Sequence, residues 1–320
     1  MKNLSKDTET IKLLSQANDY LSKSLSDATK RAYASDFLQF AEFCRLKNLQ
    51  SLPATPDTVA IWITQMVELG RKTTTIERSL VAISQAHKLK DLDSPINTVI
   101  RKLVTGVKRK IGTTKKKSLP ITLEMLERII TRLGSDLISE RNKAILLLGW
   151  AGALRRSELS ALDVENVDTV SRGIKLTIPS SKTDQCGEGY TIGIPFAEND
   201  SLCPVYAVQN WIFRANLKSG ALFRQIGRSA IIDDDCSTFS RLSDKWIAKI
   251  VKDSLQKAGY PTDGYGGHSL RAGFATEAAS RGVDERTIMR HTRHKSVTVM
   301  RGYIHSGTIF SDNPFALGWF

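Results

Sequence analysis

Gly267-His268-Ser269-Leu270-Arg271, then Arg293-His294, then Gly302-Tyr303-Ile304-His305, form the stretch around which the rest of the chain is organised. Of the five histidines, all but His87 lie beyond residue 260, beside Arg271, Arg293 and Tyr303. An arginine fork can hold a phosphate with paired N–H donors, and an imidazole can move a proton near neutral pH. A tyrosine hydroxyl can attack phosphorus once its proton is taken. Each group alone has a plainer use. A histidine ahead of a helix caps it or sits in a core, and a tyrosine on an apolar face packs.

Working upstream, the second half of the chain supplies partners at telling spacings. Thr122 reads as an N-cap for a helix over Leu123–Leu133, followed by a more apolar helix over Leu137–Trp150. Gly152-Ala153-Leu154 then breaks the pattern before Arg155-Arg156-Ser157-Glu158-Leu159. Between Gly173 and Pro195 the period changes to two, with Ile174, Leu176 and Ile178 alternating and later Ile192 and Ile194. That predicts a small antiparallel hairpin whose polar tip, Ser180 to Gln185, carries Lys182. Helical patterns return over Pro204–Leu217, Thr238–Ala258, Leu270–Arg281 and Asp284–His291. Arg155 beside Glu158 could equally be a structural ion pair, and Lys182 a solvated tip residue.

The first half reads as short amphipathic helices with no convincing strand pattern. Candidates are Asp7–Leu21, a helix opening at Ser26-Asp27, one from Thr55-Pro56-Asp57 to Gly70, and two over Thr74–Leu89 and Ile96–Lys110. The net charge is +13, and residues 1–120 hold 21 Lys and Arg against 11 Asp and Glu. Such an excess points to a polyanion, because lysine and arginine replace counterions condensed on nucleic-acid phosphates. Arg71, Lys72 and Thr73 at a helix start combine cations, hydroxyl and free backbone N–H groups, a seat for a phosphate or simply a solvated cap. Arg101 to Lys117 holds eight basic residues and no acid, among them Lys108, Arg109, Lys110, Lys115, Lys116 and Lys117. Residues 113–120 read as an exposed basic linker between a helical domain, 1–112, and a second domain, 121–320. Its lysines are expected either along a DNA backbone or in solvent.

The four cysteines are scattered without a C-x-x-C pair, which fits reduced thiols in a cytoplasmic, nucleoid-associated protein and argues against a disulfide frame or a zinc site. The uncharged run Ala144 to Leu154 is too short to span a bilayer, so no membrane role is expected.

Together the motifs Gly-x-Leu-Arg-x-Ser-Glu-Leu, a hairpin lysine, His-x-Leu-Arg, and a histidine nine residues before a tyrosine resemble the tyrosine recombinase (phage integrase) family, in its two-domain, Cre-like layout. The resemblance implies a mainly α fold with a small antiparallel β element. It consists of an all-helical, SAM-like core-binding domain and a mixed α/β catalytic domain, which would clamp one DNA half-site. It implies a catalytic set of Arg155, Lys182, His268, Arg271, His294 and Tyr303. Glu158 would orient His268 or its surroundings. The two arginines would neutralise a pentacoordinate phosphorus, Lys182 would protonate the leaving 5′ oxygen, His268 would take the Tyr303 proton, and His294 would hydrogen-bond the phosphate. No metal and no cofactor is called for. The product would be a 3′-phosphotyrosyl link, with strand exchange passing through a Holliday junction in a homotetramer on DNA, with room for an accessory protein. The chain departs from the common Leu-Gly-His at the third site. It has His291-Thr292-Arg293-His294, which makes His291 a rival and frees Arg293 for DNA. In the tail 304–320, five large apolar residues beyond Ile309 suit docking into a neighbouring protomer, or folding back onto their own domain. A type IB topoisomerase-like enzyme and a non-catalytic DNA-binding protein on the same fold are the alternatives.

Overall fold

The computed structural model describes residues 25–113, 118–179, 189–227, 240–294 and 296–308, with the side chains of Val299 and 304–308 left aside. By internal packing the chain divides into two units, Met1–Lys115 and Lys116–Phe320. The Asp7–Leu21 helix, Lys115 to Lys117, Lys182 and the tail beyond Thr308 fall outside the described residues.

In the first unit, α1 (Asp27–Leu46) starts where Ser26 accepts the Thr29 N–H. Helix α2 (Pro56–Glu68) is capped by Thr55, with Pro56 in its first turn, where a missing N–H costs nothing. Helix α3 spans Thr73–Lys88 and α4 spans Thr98–Ile111, the latter capped by Asn97. Their apolar faces meet in a core built on Phe40, Phe43, Trp62, Ile63, Ile76, Ile83 and Ile100. His87, the one histidine outside the C-terminal cluster, is fully buried. Its Nε2 accepts the Ala54 N–H at 2.8 Å and its Nδ1 donates to the Ile83 carbonyl at 2.8 Å. Its work is structural: it ties the loop before α2 to α3.

The second unit opens with α5 (Leu123–Thr131) and α6 (Leu137–Ala151), then the short α7 (Arg156–Ala161). Three antiparallel strands follow in the order β1 (Val167–Val170), β2 (Gly173–Ile178) and β3 (Tyr190–Pro195). The expected two-strand hairpin therefore has a third member. Val167 faces Leu176 and Val170 faces Gly173, while Ile174 pairs with Ile194 and Leu176 with Ile192. Gly173 has φ +142°, and a Cβ there would lie 2.1 Å from the Ile194 carbonyl, so the β1–β2 turn requires glycine. Helices α8 (Pro204–Arg214), α9 (Asp244–Lys257), α10 (Ser269–Ser280), α11 (Glu285–Thr292) and α12 (Val297–Thr308) complete the unit.

Two packing relations position the site. The middle of α6, Ala144 to Leu148, is buried throughout and lies against α8 and α10. Helix α10 packs in turn on α12 through Ala275, Ala279 and Met300, with Ile288 of α11 and the partly buried Tyr303 in the same cluster. The fold is mainly helical with one small sheet.

Candidate active site

The site is built at the C-terminal end of α6. A helix end leaves carbonyls without intrahelical partners, and the aligned peptide dipoles make that end negative. Here Ala153 turns the chain back in the left-handed region at φ +45°, leaving the carbonyls of Ala151, Gly152 and Ala153 available to side chains. His291 Nε2 donates to the Ala151 oxygen at 2.8 Å. Arg293 Nη1 approaches the Gly152 oxygen at 3.4 Å and its Nη2 the Ala153 oxygen at 3.2 Å. Arg271 Nη1 donates to the Ala153 oxygen at 2.8 Å. One helix terminus therefore gathers side chains from α10 and from the end of α11.

Glu158 holds the arginines in place from the other side. It is 1 % exposed, and its Oε2 accepts the Arg155 backbone N–H at 2.8 Å and Arg293 Nη2 at 2.9 Å. Its Oε1 accepts Arg155 Nη1 at 2.5 Å. The surroundings that Glu158 orients are thus two guanidinium groups. Arg155 sits just ahead of α7 and its side chain keeps 12 % of its surface exposed.

Arg271 is the least satisfied of the cations. It is 4 % exposed, and its Nη2 is buried without a hydrogen-bond partner. Burial, followed by repulsion from Arg155 and Arg293, lowers its pKa to about 9, against the opposing pull of Glu158 and Tyr303. A buried guanidinium with an unpartnered Nη2 is a site prepared for an anion.

His294 and Tyr303 lie side by side, ring centroids 5.8 Å apart and tilted by 46°. His294 Nδ1 is 2.7 Å from Thr292 Oγ1. Burial first, then Arg271, Arg155 and Arg293, push the His294 pKa down to about 3, so the imidazole is neutral. His291, the rival, is stacked on Phe274 at 4.5 Å and tied to the end of α6, with its pKa lowered by burial. It supports the site instead of facing Tyr303. His268 is exposed and forms the N-cap of α10, three residues before Arg271.

The residues expected to contact DNA are placed in different ways, some turned inward and others exposed. Arg293, read from the sequence as free for DNA, is turned inward. Its side chain is 7 % exposed, paired with Glu158, and its guanidinium carbon stands 5.9 Å from the centre of the Tyr190 ring. Its left-handed backbone, φ +57°, ends α11 and allows the reversal into α12. Thr73, expected at a phosphate seat, is 6 % exposed inside the first turn of α3. Arg71 and Lys72 beside it are exposed, as are Arg101, Arg109 and Lys110 on α4. Lys108 is partly exposed and ion-paired with Glu77 at 2.5 Å.

Two contributors carried no signal that singled them out in the sequence. Thr292, fully buried, contacts His294; a hydroxyl two residues from a site histidine was the only trace of it. Tyr190, at the start of β3, donates from its hydroxyl to the Arg290 carbonyl at 3.1 Å and anchors the returning strand to α11.

Comparison with known proteins accounts for this arrangement. Residues 120–308 match the phage integrase family. The integrase/recombinase xerD homolog of Selenomonas ruminantium is 36 % identical over 303 residues, covering 93 % of this chain and 87 % of that protein. The recombinase cre of Escherichia phage P1 is 22 % identical over 300 residues, covering 89 % and 85 %. Among solved structures, a lambda integrase dimer bound to a COC′ core site matches with a TM-score of 0.60 at 15 % identity, covering 92 % of this chain and 76 % of that one. The XerH site-specific recombinase in its post-cleavage complex with a palindromic difH substrate matches with a TM-score of 0.59 at 18 % identity, covering 86 % and 75 %. At such identities the structures speak for the fold, while the family match and the 36 % relative speak for descent. The chain belongs to the phage integrase family and is a tyrosine recombinase.

Proposed function

We propose that this protein is a site-specific DNA recombinase that cleaves one strand with Tyr303 and rejoins it to another. The observation that carries the reading is the buried, unpartnered Nη2 of Arg271 beside Arg155, Tyr303 and His294. Two guanidinium groups stabilise the charge that builds on a pentacoordinate phosphorus, each such donor contributing about 3 kcal/mol in comparable sites. The attacking tyrosine forms a 3′-phosphotyrosyl link and the leaving 5′ oxygen takes a proton, a part we give to Lys182 on the β2–β3 connection. The proton of Tyr303 goes to one of two imidazoles, His268 or His294. Because the phosphotyrosyl bond conserves the energy of the phosphodiester, religation needs no nucleotide. Double-stranded DNA is the partner, contacted through Arg71, Lys72, Arg101, Arg109, Lys110 and Lys115 to Lys117. Exchange proceeds through a Holliday junction in a tetramer whose protomers are joined by the apolar tail, with the helical domain, 1–112, and the catalytic domain, 121–320, both on DNA.

A covalent-trapping assay tests this. The protein is incubated with nicked suicide duplexes tiled across the DNA flanking its own gene, then denatured in detergent. An adduct with the wild type and none with Tyr303→Phe supports the reading. Salt-sensitive binding to one duplex without an adduct identifies a DNA-binding protein instead.

A further inference from the structure

Thr292 is fully buried, and its hydroxyl carries one proton. That proton is committed: Oγ1 lies 2.7 Å from the Ile288 carbonyl oxygen, which can only accept. The same Oγ1 lies 2.7 Å from His294 Nδ1, so in this second bond Thr292 must be the acceptor. Nδ1 therefore carries the imidazole proton. The groups facing His294 are Arg271 from α10, Arg155 from ahead of α7, Arg293 next to it in the chain, and Tyr303 from α12. Burial first, and then these three cations, keep the ring from taking a second proton, which leaves Nε2 as a lone pair.

A lone pair is the wrong group to meet a phosphate oxygen and the right one to meet a hydroxyl. The Tyr303 ring is the neighbour of the His294 ring, 5.8 Å away by centroids and tilted by 46°, and it carries the one hydroxyl that the reaction must deprotonate. We propose that Thr292 is a positioning residue that fixes His294 as the Nδ1–H tautomer, and that His294 Nε2 receives the proton of Tyr303. This rests on the phosphoryl-transfer reading above and reverses the part expected of His294. As the Tyr303 Oη–phosphorus bond forms, the O–H proton passes to Nε2. The bond from phosphorus to the 5′ oxygen breaks, and that oxygen takes its proton from the ammonium acid assigned above. The resulting imidazolium, now bearing a proton on each nitrogen, can donate to the phosphate whose arrival has offset the surrounding arginines. His268, exposed at the head of α10, is then left to the phosphate.

The tautomer is read directly, without DNA, by nitrogen-15 NMR of histidine-labelled protein, with the His294 signal assigned by its loss in His294→Gln. The expected result is a protonated Nδ1 and a bare Nε2 in the wild type and in Thr292→Ser, with the single tautomer lost in Thr292→Val. A proton on Nε2 in the wild type, or an unchanged tautomer in Thr292→Val, overturns the assignment of Thr292. The proton acceptor is read by the rate of adduct formation on the suicide duplex that traps the wild type. Thr292→Val should slow it about tenfold and His294→Gln about a hundredfold, the usual range for lost base catalysis, with Thr292→Ser near the wild type. A fluorinated tyrosine at position 303, whose phenol ionises more readily, should recover much of both losses and none of that in Arg271→Ala. Recovery in His268→Gln but not in His294→Gln would place the proton on His268 and overturn the proposal. A wild type that gives no adduct removes the reaction on which the acceptor role stands. The NMR result separates that failure from a wrong assignment of Thr292.

Discussion

At the scale of single residues, the site is held by one carboxylate among three guanidinium groups. Glu158 is the counter-charge to Arg155 and Arg293, and all three side chains are withdrawn from water. Removing one partner of such a group leaves uncompensated buried charge, which costs about 3–5 kcal/mol. Glu158→Ala should therefore lower stability by that order in urea denaturation, and cleavage should fall with it. A loss under about 1 kcal/mol would mean that water already screens the arginines. Arg271 lies on the opposite side of the ledger. Its pKa of about 9 is below that of an ordinary arginine, so folding works against its charge. Because the folded state holds fewer protons than the unfolded one above pH 9, the cost is full below that pH. It fades as pH rises toward the usual arginine range. Arg271→Met should thus raise the melting temperature of the DNA-free protein at neutral pH while abolishing the covalent adduct. A lowered melting temperature would assign Arg271 to structure.

At the scale of elements, the decisive contact is the approach of the segment before α5 to α10. The Ile121 N–H donates to the Ser269 carbonyl at 3.1 Å, and Trp150 Nε1 donates to the Ile121 carbonyl at 2.9 Å. Gly273 lies beneath that carbonyl, where an added Cβ would sit 1.9 Å from the oxygen and 2.9 Å from Trp150 Nε1. Gly273→Ala has to push backbone aside, so a loss of about 1–3 kcal/mol is expected in thermal unfolding, with Arg271 displaced two residues away. The usual gain of alanine over glycine in a helix is smaller than this and would prevail only if the segment moved freely. Local signals of this kind separate what the sequence made legible from what it did not. Helix starts at Ser26, Thr55, Thr122 and Asp284 could be read because a cap is a bond between residues three apart. Helix α12, which carries Tyr303, was missed because Val297-Thr298-Val299 is β-branched and Gly302 interrupts it, so its helicity comes from packing on α10. Strand β1 was missed because its four residues show no buried–exposed alternation. Arg155, Arg271, His294 and Tyr303 were legible as a spacing. The inward turn of Arg293 and the burial of Thr73 were not, since both depend on chain that arrives from elsewhere.

At the scale of the whole molecule, the charge excess becomes a measurable salt dependence. Each phosphate neutralised by lysine or arginine releases condensed counterions, so the logarithm of the binding constant falls with the logarithm of salt by about 0.9 per contact on duplex DNA. The basic face of α4 separates contacts from bystanders. Arg109 and Lys110 are exposed in the last turn of that helix, while the Lys108 ammonium is held by Glu77 at 2.5 Å. A lysine already neutralised by a carboxylate releases fewer counterions, because the pair must part before the phosphate is met. Arg109→Gln and Lys110→Gln should each lower the magnitude of the slope by about 0.9, and Lys108→Gln by less than half of that. Glu77→Gln makes the opposite change: it frees Lys108, tightens binding and steepens the slope. Titrations of the full chain against the duplex that traps it, at several salt concentrations, read all four variants in one experiment. Equal slopes in wild type and variants would show that α4 faces solvent in the complex and that the excess charge acts at a distance. A slope lowered by Lys108→Gln as much as by Arg109→Gln would show that the Glu77 pair opens on binding. In that case the carboxylate opposes DNA, and removing it should raise affinity at every salt concentration.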